Sequence, residues 1–389
     1  MNQQSVAIIP LRAGSKSIVN KNKKKLLGRP LFTWVLGEAI RSNLSKVYIF
    51  TDDSDILDYI QKEYTWTDKV EGMLRSAASA TDTASTEMAM FEFAEKIKYN
   101  FDTLCLLQAT SPLTTVQDIN KTLAKISEEG YDSALTVVES KRFIWNEAGK
   151  SLNYDYLKRP RRQEFEGMLI ENGAVYACTK AQFQASKNRL GGKIGIVKMH
   201  EDTLIEIDEP TDWTIVESLI ENRLRSAKKS PTQIKVLVLD VDGIFTDGSI
   251  TYNKEGEFSK TFSMRDGMGL EIIRETGLEV FIMTSENSQL VEQRMNKLGL
   301  KNVFMGVKDK YSRLTQLAKE RGLNKNEIAY LGDDVNDLAN ICSVAWGLCP
   351  ADGMPEVKNR ADVVLNANGG AGAIREACYF IDKYNKRNK

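Results

Sequence analysis

Short runs that are apolar at almost every position alternate along this chain with longer segments whose apolar residues recur at helical spacing. Val6 to Ile9, Val47 to Thr51, Thr103 to Gln108, Ser133 to Val138, Gly173 to Cys178 and Ile194 to Met199 predict strands, with Pro10 expected to stop the first. Pro30 to Arg41, Ser54 to Glu63 and Ser85 to Lys98 predict helices between them. Such alternation implies an α/β fold, a mostly parallel sheet covered by helices, which binds ligands at the carboxyl ends of its strands. Arg12, Asp52 and Gln108 fall at such ends. The pattern gives way to a polar, basic stretch ending in RSAKKSPTQ and restarts at Ile234 with KVLVLD. Two α/β domains are therefore expected, residues 1–222 and 234–389, with a linker over 223–233 that contains Pro231.

A chain of 389 residues can hold two full cores. With a net charge of zero and 27% charged residues, nucleic acid and anionic membrane are not expected as main partners. Met1 to Ser5 is polar and the apolar run after it is too short for a signal core or a span, so a cytoplasmic location is expected. The five cysteines are scattered without C-x-x-C spacing and read as reduced core residues. His200 is the only histidine, so any metal must be held by carboxylates, which favours Mg²⁺.

The loop after the first strand sets Arg12, Lys16 and Lys21 beside Gly14 and Ser15, a composition that converges cations and backbone N–H groups on a polyanion such as a nucleoside triphosphate. No Gly-Lys-Ser/Thr ends it, so it is not a P-loop. Farther on, Glu206-Ile207-Asp208 has the period of two that places both carboxylates on one face of a strand, where they suit Mg²⁺. In VLVLDVDGIFTDG, residues 236–248, the same period brings Asp240 and Asp242 into one crevice beyond a buried strand. There one carboxylate can attack phosphorus while the other exchanges a proton with the leaving oxygen.

The first loop resembles the opening signature of the sugar-acid cytidylyltransferases, Arg-x-Gly-Ser-Lys-Gly followed by Lys-Asn. Arg12, Gly14, Ser15, Lys16, Lys21 and Asn22 match, and Ser17 stands where the family has glycine. LLQATSPLTTVQDI resembles the family's Leu-Gln-Pro-Thr-Ser-Pro-Leu-Arg stretch through Gln108, Thr110, Ser111 and Pro112, with Ala109 and Thr114 departing. Arg75 and Asp82-Thr83 match a second nucleotide segment. Arg162 and Gln163 in RRQEF, and Asn172 and Gly173 in ENGAVY, resemble the sugar-acid segments of the acylneuraminate branch. IEIDEPTDW resembles the Asp-x-Asp metal segment, with Glu206 in place of its first aspartate. The resemblance implies CTP as a substrate, held by the loop residues with Arg75, Asp82 and Gln108, and catalytic roles for Arg12 and Lys21. It further implies sugar contacts from Gln108, Arg162, Gln163 and Asn172, and Mg²⁺ on Asp208 and Glu206.

The second domain resembles the haloacid dehalogenase superfamily of phosphatases. Asp240 and Asp242 are followed in order by Thr284 and Ser285, by Lys310 in GVKDK, and by Asp333, Asp334 and Asp337 in LGDDVND. This implies Asp240 as nucleophile, Asp242 as acid/base, Thr284 and Lys310 as phosphate holders, and Mg²⁺ on Asp240, Asp242 and Asp333. Lys308 is the other candidate cation. The hairpin-like insert ITYNKEGEFSKTF leaves no room for a large cap, and Gly369 to Glu376 resembles the glycine-rich tail of capless sugar-acid phosphate phosphatases, which assemble as tetramers. Glu286 and Lys297 look like the nine-carbon branch, although Glu286 also reads as a helix cap. Together the two resemblances imply a bifunctional enzyme acting on a nonulosonate sugar acid and its 9-phosphate. The alternatives are a transferase whose second domain is a silent oligomerisation platform, and a nucleotide-sensing scaffold without turnover.

Overall fold

Residues buried on both sides need apolar side chains at every position, and those runs form the central strands of a computed structural model that describes residues 4–228 and 232–388. Pro231, in the expected linker, lies outside the described residues. The chain divides into two compact units, residues 1–24 with 30–219, and residues 25–29 with 220–389.

The first unit is built on a seven-stranded sheet of β1 (Ser5–Leu11), β2 (Lys46–Thr51), β3 (Val70–Leu74), β4 (Thr103–Leu107), β5 (Ser133–Ser140), β6 (Met168–Thr179) and β7 (Ile194–Met199). Their order is β3-β2-β1-β4-β6-β5-β7. All neighbours are parallel except around β6, which runs antiparallel to both β4 and β5. Val6, Ala7, Ile8 and Ile9 are fully buried, each such side chain contributing roughly 1.5–3 kcal/mol on burial for the larger residues. β1 does not stop at Pro10. It continues beside β2 to Leu11↔Thr51, whereas its pairing with β4 ends at Ile8↔Leu106. The missing N–H of Pro10 thus falls where β1 is paired on one side only.

Helices α1 (Leu31–Arg41), α2 (Ser54–Glu63), α3 (Thr86–Lys96), α4 (Val116–Ser127), α5 (Lys180–Ser186) and α6 (Pro210–Ser226) complete this part of the chain. Asp53 caps α2 and Ser85 caps α3, while Thr115 and Asp118 form a reciprocal capping box on α4. α6 continues to Ser226, so the first residues expected to be linker are helical.

The second unit carries a six-stranded parallel sheet of β8 (Val236–Leu239), β11 (Glu279–Met283), β12 (Asn302–Phe304), β13 (Ile328–Leu331), β14 (Trp346–Cys349) and β15 (Val363–Val364). The order is β12-β11-β8-β13-β14-β15, with the fully apolar β8 in the interior. The insert after β8 forms an antiparallel hairpin, β9 (Thr251–Asn253) and β10 (Gly256–Ser259). Helices α7 (Met264–Glu275), α8 (Gln289–Lys297) and α9 (Lys310–Glu320) begin at the side-chain caps Ser263, Ser288 and Asp309. All five cysteines are free and buried, and burial pushes every thiol above its ordinary range. No helix among the described residues is long and apolar enough to cross a membrane.

Candidate active sites

β1, β2 and β4 end side by side at Leu11, Thr51 and Leu107, and the residues just beyond β1 and β4 line a cavity of 420 Å³. Arg12, Ser15, Lys16, Lys21, Asn22, Arg75, Asp82 and Gln108 all line it, with Thr110 and Asp208. Gly14 does not, although the space beside its α-carbon is open. Two loop cations converge on one carboxylate: Arg12 and Lys16 both pair with Asp82, Lys16 at 2.6 Å. The Lys16 and Arg12 cations hold the Asp82 carboxyl below the usual carboxylate range. Lys21 is largely shielded and donates to the Ile207 carbonyl (2.8 Å) and to Asp208 Oδ1 (3.1 Å). Asn22 donates to the Arg12 carbonyl at 3.1 Å and the Ala13 N–H to Asp52 Oδ1 at 2.9 Å, so both ends of the loop are fixed to strand ends. Ser17 donates to the Asp208 carbonyl, and the left-handed residue of the loop is Asn20 (φ 53°), not Ser17. Arg75 is buried, donating to Ser79 and to the Leu11 carbonyl, and burial lowers its pKa.

Glu206 and Asp208 do not share the face of a strand. They lie in an irregular segment between Leu204 and α6, held by the Lys21 contacts and by the Ile207 N–H donating to the Thr110 carbonyl. The Glu206 carboxyl sits where a side chain on Gly173 (φ 67°) would go: a β-carbon there would be 2.3 Å from Oε1. Burial first, and then Asp208, raise the Glu206 pKa. A carboxylate crowded by another one suits a cation between them.

The expected sugar contacts are dispersed. Gln108 lines the cavity, whereas Arg162 and Gln163 are exposed on the segment before β6 and do not. Asn172 sits in the core and not among the residues that line the cavity. It is 1% exposed, accepts from the Thr136 hydroxyl at 2.8 Å and donates to the Thr203 hydroxyl at 3.1 Å, tying β6 to β5 and to the turn that leads to Glu206. Both ends of its amide are thereby used inside the core. Asn172→Ala is expected to lower stability by about 1–3 kcal/mol, read from the denaturant midpoint. An unchanged midpoint with a raised KM for the sugar acid would return Asn172 to a sugar-contact role.

In the second unit, Asp240 follows β8, Thr284 follows β11 and Asp333 lies two residues after β13. With Asp242, Ser285, Glu286 and Asp334 they line a cavity of 460 Å³. Lys310 opens α9 beneath it, its side chain without exposed surface and its Nζ 2.7 Å from Asp240 Oδ2 and 2.8 Å from Asp337 Oδ1. Asp337 is completely buried and also accepts from the Tyr330 hydroxyl at 2.6 Å and from the Asp333 N–H at 3.2 Å. Carboxylate oxygens of Asp240, Asp333 and Asp337 all lie within 4.8 Å of one another. Burial takes the Asp240 carboxyl up to about 7, against the pull of Lys310, while burial and then Asp337 and Asp240 take Asp333 up to about 8. The two carboxylates outweigh the effect of burial on Lys310 and hold it above the ordinary lysine range. Asp333 Oδ1 is buried with no hydrogen-bond partner among the described residues. An excess of buried negative charge with an unsatisfied oxygen fits a divalent cation.

Gly243 allows this crowding. It has φ 79°, and a β-carbon there would lie 2.1 Å from Asp333 Oδ2. The glycine-rich tail folds against the same loop, Gly370 N–H donating to the Ile244 carbonyl at 2.9 Å. Lys308 is exposed, so Lys310 is the buried cation. Lys297 sits exposed in the last turn of α8 and does not line the cavity. Two contacts were not read from sequence: that of Asp337, quoted only within its signature, as the second anchor of Lys310, and that of Lys260, whose Nζ donates to Asp242 Oδ1 at 2.6 Å.

A cation-lined cavity at the ends of a largely parallel sheet is the arrangement of a nucleotide-binding enzyme, and paired aspartates beyond a second such sheet that of a phosphohydrolase. Comparison with known proteins agrees with both. The family model for Cytidylyltransferase matches residues 6–237 and that for haloacid dehalogenase-like hydrolase matches residues 302–376. The chain belongs to the cytidylyltransferase family, with a haloacid dehalogenase-like hydrolase in its C-terminal part. It is 30% identical to N-acylneuraminate cytidylyltransferase of Oncorhynchus mykiss over 98% of this chain and 89% of the relative, and 28% identical to N-acylneuraminate cytidylyltransferase B of Danio rerio over 98% and 90%. Its C-terminal part is 36% identical to 3-deoxy-D-manno-octulosonate 8-phosphate phosphatase of Haemophilus influenzae, over 38% of this chain and 82% of the relative.

Proposed function

We propose that this enzyme removes phosphate from a nonulosonate 9-phosphate in its second domain and activates the freed sugar acid with CTP in its first, releasing pyrophosphate and a CMP-sugar. Residues 1–222 form the transferase, 223–233 the linker and 234–389 the phosphatase. The observation that carries the two-activity reading is the buried Lys310 ammonium between Asp240 and Asp337 under an open cavity. A domain kept only for assembly has no use for so costly an arrangement. The nine-carbon acid is favoured because the relatives that span the chain act, by their names, on N-acylneuraminate.

In the first site Arg12, Lys16 and Lys21 bind the triphosphate, with Gly14, Ser15, Asn22, Arg75, Asp82 and Gln108 around the nucleotide. Gln108, Arg162 and Gln163 orient the sugar acid. Its 2-hydroxyl oxygen attacks the α-phosphorus and gives its proton to water as the bond to the bridging oxygen of pyrophosphate breaks. In the second site Asp240 attacks phosphorus as the bond to the sugar oxygen breaks. Asp242 gives that oxygen its proton and later takes one from the water that hydrolyses the aspartyl phosphate. Thr284 and Lys310 hold the phosphoryl oxygens, while Glu286, which lines the same cavity, faces the sugar. Mg²⁺, when bound, neutralises charge on the phosphate oxygens; Asp240 and Asp333 would hold it in the second site, Asp208 and Glu206 in the first. The enzyme acts in the cytoplasm, as a homotetramer assembled through its second domain. The exposed Tyr252, Phe258, Met264 and Met268 on the hairpin and at the start of α7 support that assembly.

Pyrophosphate release from CTP with N-acetylneuraminate, set against the same assay with an octulosonate, tests the substrate class. A higher kcat/KM for the nine-carbon acid supports the reading, and the reverse preference contradicts it.

A further inference from the structure

One buried charge beside the second site has no part in the steps above. Lys260 directly follows β10 of the hairpin, and its side chain has no exposed surface. Its Nζ donates to Asp242 Oδ1 at 2.6 Å, and Glu257 Oε1 lies 3.9 Å from the same nitrogen. The other Glu257 oxygen, Oε2, accepts from the hydroxyl of Ser288, the cap of α8. Burying an ammonium costs several kcal/mol unless carboxylates face it, so these contacts fix where Nζ sits. They fix Asp242 with it. With Oδ1 engaged by Lys260, Oδ2 is the oxygen left to meet a ligand in the cavity that Asp242 lines.

We propose that Lys260 is a positioning residue for the acid/base step, anchoring Asp242 through the hairpin so that Oδ2 addresses the leaving oxygen. As the phosphorus–oxygen bond to the sugar breaks and the proton passes from Oδ2 to that oxygen, the ammonium at Oδ1 neutralises the carboxylate formed. The hairpin, too small to be a cap, thereby becomes part of the catalytic apparatus. The inference rests on the phosphatase reading of this site.

Two esters separate this role from a merely structural one. The sugar of a nonulosonate 9-phosphate would leave as an alkoxide and needs the proton, whereas the phenolate leaving group of p-nitrophenyl phosphate does not. Lys260→Met is expected to lower kcat about 10²-fold on the sugar ester and less than about threefold on the aryl ester, with Lys260→Arg recovering most of the loss. In an Asp242→Asn background the same change is expected to cost nothing further, because both substitutions remove one function. Glu257→Gln, a milder change, should show the same selectivity at smaller size. Equal losses on both esters, or losses that add to those of Asp242→Asn, overturn the role of Lys260 and leave the phosphatase intact. If the native chain releases phosphate from neither ester, the phosphatase reading falls and the role of Lys260 with it.

Discussion

Asp240→Asn should abolish release of phosphate from a nonulosonate 9-phosphate, by about 10⁴-fold or more, without loss of CTP-dependent pyrophosphate release. Asparagine keeps the shape of the side chain but not the nucleophilic carboxylate. Oδ1 of Asp240 accepts from the Val241 N–H at 2.7 Å and Oδ2 pairs with Lys310, which retains Asp337 as a partner when Asp240 loses its charge. The ammonium is therefore not left unpaired and the fold should survive, so lost turnover reads as lost chemistry. Phosphate release at the native rate from this variant would make the second domain something other than an aspartate-nucleophile phosphatase.

Arg12→Ala should have the second largest effect, a loss of about 10²–10³ in kcat/KM for CMP-sugar formation. Arg12 follows directly on β1, and its guanidinium shares Asp82 with Lys16 at the mouth of the cavity. Binding a triphosphate there exchanges one carboxylate for several phosphate oxygens, and a guanidinium engages them in pairs. The side chain is partly exposed, so the variant should fold as the native chain does. Steady-state kinetics with CTP varied checks it, and an unchanged kcat/KM would remove Arg12 from the nucleotide site.

Both residues stand where the sequence pattern alone places chemistry, one step beyond an apolar strand. That part of the fold was legible because strands buried on both faces leave a continuous apolar run, and the residues just past such a run must open into the crevice. The extent of β1 was less so. Proline ends a strand only where its missing N–H faces a neighbour, and which side is paired at Pro10 depends on β4, far along the chain. The Glu206-Ile207-Asp208 triplet has strand spacing, but contacts from Lys21 and Thr110 hold it as an irregular segment. Asn172 shows what a matching motif leaves open: the resemblance of its segment implied a sugar contact, and the fold uses both ends of its amide inside the core.

The partners of Asp337 and Lys260 were hidden for a different reason. Each acts by touching another charged side chain, Asp337 across 27 residues to Lys310 and Lys260 across 18 to Asp242. No local spacing records such a pair. The polar alternation of the hairpin gave no sign that one of its lysines would be completely enclosed.

The central claim is that one chain carries two successive activities, and a phosphorus NMR time course tests it most directly. The protein is supplied with Mg²⁺, CTP and N-acetylneuraminate 9-phosphate as the only sugar. Inorganic phosphate should appear first, followed by pyrophosphate and the CMP-sugar resonance. Pyrophosphate and a CMP-sugar formed only when free N-acetylneuraminate is added, with the 9-phosphate untouched throughout, would contradict it.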